Sequence, residues 1–242
     1  VGLSAEETLY TTNPNITAPV PRFAAFSATA KDPNYSFYAP LVSLAWKKLN
    51  WTPLVLWITE PLPSKQQALS DLVLHACRVA GARVEPAGII PGSGWISAQL
   101  GRIFLSCLDL PRESLLLTSD VDMFVFENHF WDTMRRTDLS VNYFGYIQTR
   151  DLGNFWTDRR NFLQMCHVEM SVEMWREVLR LPTEGCDLEH KLAQVLSEES
   201  SAGRVEWGLD QYYLTDRLRA WSHRTGRHIA LHQQDFTTHK QL

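Results

Sequence analysis

The stretch ESLLLTSDVDMFVFENHF, residues 113–130, decides how the rest of the chain is read. Leu115, Leu116 and Leu117 with Thr118 and Ser119 form an apolar run of strand length. Two acids one residue apart, Asp120 and Asp122, follow at once and enclose Val121. The chain then returns to the apolar MFVF. Such a pattern places two carboxylates either at the open end of a buried strand, facing a ligand, or in a solvated loop.

The flanking segments favour the strand end. RFAAFSAT reads as a strand, SFYAPLVSLAWKKL as a helix, PLVLWIT as a buried strand, and SKQQALSDLVLHACRVAG as a helix opening at Ser64 and stopping at Gly81. ARVEPAG then reads as a short strand, GWISAQLGRIFLSCL as a helix and SLLLTS as a further strand. This alternation predicts an α/β fold with right-handed crossovers and a mostly parallel central sheet carrying helices on both faces. Ligands of such sheets gather at the carboxyl ends of the strands, where strand order reverses. Further on, FLQMCHVEM predicts a strand, SVEMWREVLRL and GLDQYYLTDRLRAW helices, and RHIALH a last strand. The polar and aromatic TRDLGNFWTDRRN, residues 149–161, predicts a surface loop.

Length and composition bound the function. The 242 residues are 45% hydrophobic, enough for one large core, and 23 Lys and Arg against 27 Asp and Glu give a net charge of -4 without a basic run. Nucleic acid is not an expected partner. The apolar stretches are of strand length, short of the roughly 20 residues a bilayer crossing needs, so no transmembrane segment is expected. The chain opens on Val without an initiator Met or a signal-like segment and reads as a piece of something longer. Sequons at Asn15, Asn34 and Asn50 lean toward a Golgi or secretory lumen, with the cytoplasm as the alternative. Cys77, Cys107, Cys166 and Cys186 form no CxxC pair, which argues against a structural zinc, and their pairing is not legible from spacing.

A carboxylate pair at a strand end suits a hard divalent cation, Mn2+ or Mg2+, which takes a few such oxygens and fills its remaining positions with water and phosphate. Of the Trp residues, Trp46, Trp51, Trp57, Trp175 and Trp221 lie in apolar-periodic segments and are expected to be packing. Trp156 and Trp207 lie among polar residues and are candidates for ligand contact.

LLLTSDVDMFVFENHFWDTM resembles the Asp-x-Asp segment of glycosyltransferases with the GT-A fold, most like the glycogenin, galactinol synthase and lipopolysaccharide galactosyltransferase family. AAFSATAKDPNYSFYAPLVSLAWKKL is similar to that family's first strand, nucleotide-binding turn and first helix. The resemblance implies a Rossmann-like GT-A domain over residues 21–242 behind an extended lead-in of residues 1–20. Its nucleotide-binding half runs to about residue 126 and its acceptor half covers the remainder. It implies transfer of a sugar from a nucleotide-sugar donor, UDP-linked, to a glycan, glycoprotein or small-molecule acceptor. Thr29, Asp32, Tyr35 and Val121 fall on the nucleotide, Arg102 on the sugar diphosphate, and Asp120 and Asp122 on the metal. A late His completes the metal site, His232 first and His239 as alternate. Asp210 and Gln211 in GLDQYYLTDRL fall beside the acceptor. Asp210 then has three readings: a general base, a partner for the acceptor hydroxyl, or an acid placed for the helix dipole. MSVEMWREVL resembles the family's Ser-x-x-x-Trp helix start. The chain departs from the pattern where Thr215 replaces Asn and where Phe162 and Gln164 replace Asn-x-Gly. Those departures sustain an alternative, a non-catalytic GT-A-like domain that binds a glycan or a partner. A phosphatase of the haloacid dehalogenase type is a third reading, since it too carries Asp-x-Asp after a buried strand.

Overall fold

The computed structural model describes residues 20–88, 94–125, 140–144, 167–227 and 230–234, the strands at 140–144 and 230–234 by backbone alone. The strands are β1 (Arg22–Thr29), β2 (Thr52–Ile58), β3 (Arg83–Ala87), β4 (Leu115–Ser119), β5 (Ser140–Phe144), β6 (His167–Ser171) and β7 (Ala230–Gln234). The helices are α1 (Pro33–Ser36), α2 (Ala39–Lys48), α3 (Ser64–Val79), α4 (Gly94–Gly101), α5 (Val172–Leu179), α6 (Leu188–Ser201) and α7 (Leu209–Thr225), with a 3-10 helix at Arg102–Cys107 directly after α4.

The seven strands form one sheet in the order β3-β2-β1-β4-β6-β5-β7. β1 pairs in parallel with β2 and with β4, and β2 with β3. β6 is antiparallel to both β4 and β5, while β5 and β7 are parallel to each other. Six strands therefore share one direction, and β6 alone is reversed. The chain first builds outward from β1 through β2 to β3, then crosses back to lay β4 on the other side of β1. The boundary between β1 and β4 is thus the switch point of the sheet.

Both faces are covered. On one, Ala39, Val42 and Trp46 of α2 with Val73 and Cys77 of α3 pack against Ala24, Phe26 and Leu117. On the other, Leu100, Phe104, Trp175, Leu192 and Trp221 pack against Ala25, Leu116 and Met170. The mostly parallel α/β sheet expected from the alternation is present. Trp46, Trp51, Trp57, Trp175 and Trp221 are each at most 1% exposed, the packing role expected of them. Burying an indole of that size contributes about 3 kcal/mol.

Strand β5 was not among the expected elements, and the helical segments differ from expectation too. The single helix expected over 94–108 changes type at Gly101, where a Cβ would collide with Leu56. From there a 3-10 turn buries all six residues, and the first of them, Arg102, points into the site described below. The helix α6 was not expected; its buried residues Leu192, Val195, Leu196 and Glu199 form a narrow stripe in an otherwise polar segment. A disulfide joins Cys107, at the end of the 3-10 helix, to Cys186, just ahead of α6.

Candidate functional site

The β1/β4 switch point positions the site. β1 ends at Thr29, and a tight connection leads into α1, where Asp32 caps the helix by accepting the Asn34 backbone N–H at 3.2 Å. Thr29 is buried; its hydroxyl donates to Glu60 Oε1 at 3.3 Å and accepts the Lys31 backbone N–H at 3.3 Å. Glu60, immediately after β2, also holds Lys31 Nζ at 3.3 Å. Tyr35 is 45% exposed on the same turn. Beside it Tyr38 packs edge-on against Phe124 with centroids 6.0 Å apart, which couples the β1 turn to the segment carrying the acid pair.

β4 ends at Ser119, and the acids follow outside strand geometry. Asp120 is half-buried and Val121 is buried, while Asp122 is exposed. One oxygen of Asp120 is bound by Arg102 Nη1, which also donates to the Ser119 carbonyl at 3.2 Å. The other side of the same guanidinium grips Asp210: Nε donates to Oδ2 at 3.1 Å and Nη2 donates to the same oxygen. Arg102 is 5% exposed and Asp210 fully buried, in the first turn of α7. Burial alone would pull the Arg102 pKa down, but the charges of Asp120 and Asp210 more than offset it and hold the guanidinium protonated. Burial raises the Asp210 carboxyl against the opposing pull of Arg102. Partial desolvation and the neighbouring charge of Asp120 raise Asp122.

A second buried group supports the strand end. His167, at the start of β6, lies opposite Ser119 in the antiparallel ladder, and its Nε2 is 3.2 Å from the Ser119 hydroxyl. Burial, with the Arg102 charge, lowers its pKa to about 4, so the ring is neutral and polar without adding charge below the acids.

Of the residues singled out in the sequence, Thr29, Asp32, Tyr35, Asp120, Val121 and Asp122 flank the one switch point. Arg102 and Asp210, expected on the diphosphate and the acceptor respectively, are bonded to each other. Gln211 follows Asp210 and donates its backbone N–H to the Asp210 carboxylate at 3.0 Å. The backbone of His232 lies on β7, the edge strand, three interstrand spacings or about 14 Å from β4. Its side chain, and all of His239, Trp156, Phe162 and Gln164, lie outside the described residues. Thr215 is buried in α7. Glu60, Ser119 and His167 were not singled out. The acid that ends the apolar LVLWITE offered a signal for Glu60, whereas nothing local marks His167.

The donor set at Asp120 and Asp122 fits a hard divalent cation in chemistry: two carboxylates, one exposed and one with a single oxygen engaged by Arg102, with mutual repulsion that a cation would relieve. Among the described residues, no group of three His, Cys, Asp or Glu side chains is arranged to hold a metal. None of the helices described is long and apolar enough to cross a membrane.

No family model matches the chain, and no curated protein matches it in sequence. Among solved structures, it is similar to the glycosyltransferase GlyE of Streptococcus pneumoniae TIGR4, with a TM-score of 0.47 and 12% sequence identity. That likeness covers 91% of this chain and 46% of the GlyE chain, so the protein spans less than half of the structure it resembles.

Proposed function

We infer that the protein is a glycosyltransferase that binds a nucleotide-sugar donor, UDP-linked, at the β1/β4 switch point and moves the sugar to a glycan acceptor. One observation carries the reading. The acid pair and the β1 turn, far apart in sequence, stand side by side at the carboxyl ends of adjacent parallel strands, where α/β sheets hold nucleotides.

In this reading Thr29 and Asp32 shape the turn that receives the nucleotide, and the exposed ring of Tyr35 is available to stack on the base. Asp120 and Asp122 hold Mn2+ or Mg2+, with His232 or His239 as a third ligand. β7 ends on the rim that carries the acids and His239 follows five residues later, which favours His239 over the mid-strand His232. A bound cation neutralises charge on the departing diphosphate. Arg102 fixes Asp120 in one orientation and places a permanent positive charge beneath the strand end, where negative charge grows on the leaving group. Asp210 serves chiefly to hold Arg102. Its burial and two guanidinium bonds leave the positioning role better supported than that of a base. In the transfer, the bond from the anomeric carbon to the phosphate oxygen breaks and one to the acceptor oxygen forms, the acceptor proton passing to a base or to the diphosphate.

Incubation with UDP-sugars and Mn2+ is expected to release UDP, and Asp122→Ala to reduce that release more than a hundredfold. Absence of release with every donor and acceptor would move the assignment to a binding domain, a reading that the full engagement of Arg102 by two acids also supports. Equal UDP affinity with and without Mn2+ would remove the metal from the scheme. Hydrolysis of a phosphate monoester, lost in Asp120→Asn, would indicate a phosphatase instead.

A further inference from the structure

The seven Trp residues among those described divide sharply in environment. Five are core residues, whereas Trp95 is 40% and Trp207 67% exposed, and these two stack on each other with ring centroids 5.6 Å apart and planes inclined by 28°. Trp95 is the second residue of α4, and Trp207 lies two residues ahead of α7. Both helices start against the site. A Cβ on Gly94 would collide with Glu60 Oε1 and lie 3.3 Å from Thr29 Oγ1, so the α4 terminus sits directly over the ends of β1 and β2. Three residues beyond Trp207, Asp210 binds Arg102. The turn between them depends on Gly208 at φ +88°, a left-handed conformation that turns Leu209 and Asp210 inward and leaves Trp207 at the surface.

A cleft of about 430 Å³ opens beside this turn, lined by Glu206, Tyr212, Arg204 and Glu199 among others. Glu199 is 8% exposed and is bound by Arg204 through two bonds, at 2.6 and 2.9 Å. The surface thus combines a flat, apolar, solvent-facing indole with a cavity of ligand size edged by carboxylates, guanidinium and phenol. Two stacked, exposed indoles contribute little to the core and present an apolar surface to solvent.

We propose that the Trp95–Trp207 pair is the platform for a pyranose ring of the acceptor glycan, with the adjoining cleft taking the next sugar along the chain. The inference rests on the transferase reading above for the word acceptor. A pyranose matches both halves of the surface: its face of C–H bonds stacks on indole, and its ring of hydroxyls requires hydrogen-bonding groups at the edge. In the reading above the nucleobase has a separate aromatic partner, Tyr35 on the β1 turn.

The test uses lactose, maltose, cellobiose and diacetylchitobiose as probes, with binding read by saturation-transfer NMR and calorimetry. At least one is expected to bind, with affinity falling more than tenfold in Trp207→Ala and in Trp95→Ala and staying within threefold of the parent in Trp207→Phe, which keeps an aromatic face. Thermal melts establish that each variant is folded. No binding by any probe, or equal binding by the alanine variants, overturns the proposal. So does an equal fall in UDP affinity in Trp207→Ala, since the pair would then belong to the donor. Disaccharide binding that depends on the pair, in a protein that neither binds UDP nor releases it from UDP-sugars, would uphold the platform as a sugar site and overturn only the transferase reading.

Discussion

Arg102 donates to Asp120 and Asp210 from the two sides of one guanidinium, and its neighbours differ greatly in exposure. Removing a partner from a buried ion pair leaves an uncompensated charge. Asp210→Ala should therefore cost about 3 kcal/mol of stability, read as a lowered urea midpoint. Asp122 is exposed and outside the network, so Asp122→Ala should change stability by less than about 0.5 kcal/mol while weakening UDP binding in Mn2+ more than tenfold. His167 adds a pH dependence. Its pKa falls from 6.5 in the unfolded chain to about 4 in the fold, so below pH 6.5 the unfolded chain takes up a proton that the native ring refuses. The stabilisation is complete above pH 6.5 and drains away as pH falls toward 4. His167→Gln should flatten that acid limb in urea titrations at pH 7 and pH 5. At this scale the sequence was informative about Asp120 and Asp122, because an apolar run announces the strand end. It was uninformative about the bond between Arg102 and Asp210, which are 108 residues apart and share no local pattern.

The described strands other than β5, and most helices, were legible as periodic or apolar segments. β1 spans RFAAFSAT, as expected, and Ser171 caps α5 by accepting the Met174 N–H at 3.2 Å. α6 was not legible because only four of its fourteen residues are buried, one of them Glu199, and seven of the fourteen are charged or serine, a pattern close to that of a solvated segment. The change of helix type at Gly101 escaped because its cause is remote: Leu56 on β2 and Leu192 on α6 converge on the space a side chain would fill. Gly101→Ala should cost about 1–3 kcal/mol through overpacking, measured by thermal melting. A neutral outcome would mean that Leu56 can turn aside.

Across the whole molecule, the sheet order was only half legible. Alternating strands and helices specify the first four strands through right-handed crossovers, but the reversal of β6 and the insertion of β5 between β6 and β7 depend on pairings that no local segment encodes. The disulfide was illegible for the same reason, since its partners are 79 residues apart. By loop entropy, opening it should cost about 4 kcal/mol, so Cys186→Ser or added reductant should lower the melting temperature. A bridge of this kind, with the three sequons, accords with an oxidising compartment. Cys77, by contrast, is buried with its thiol pushed up to about 11, and should resist alkylation until the protein unfolds.

The reversed β6 also determines where this fold can diversify. Phe144, the last residue of β5, faces His167, the first of β6, and His167 in turn faces Ser119 at the root of the acid pair. The chain therefore leaves β5 two strand spacings from β4 and enters β6 one spacing from it, beside the acid pair. A graft of foreign length or composition between those two anchor points would leave every ladder contact in register. Length and composition can thus vary between these two anchors without disturbing the strand end that carries the acid pair.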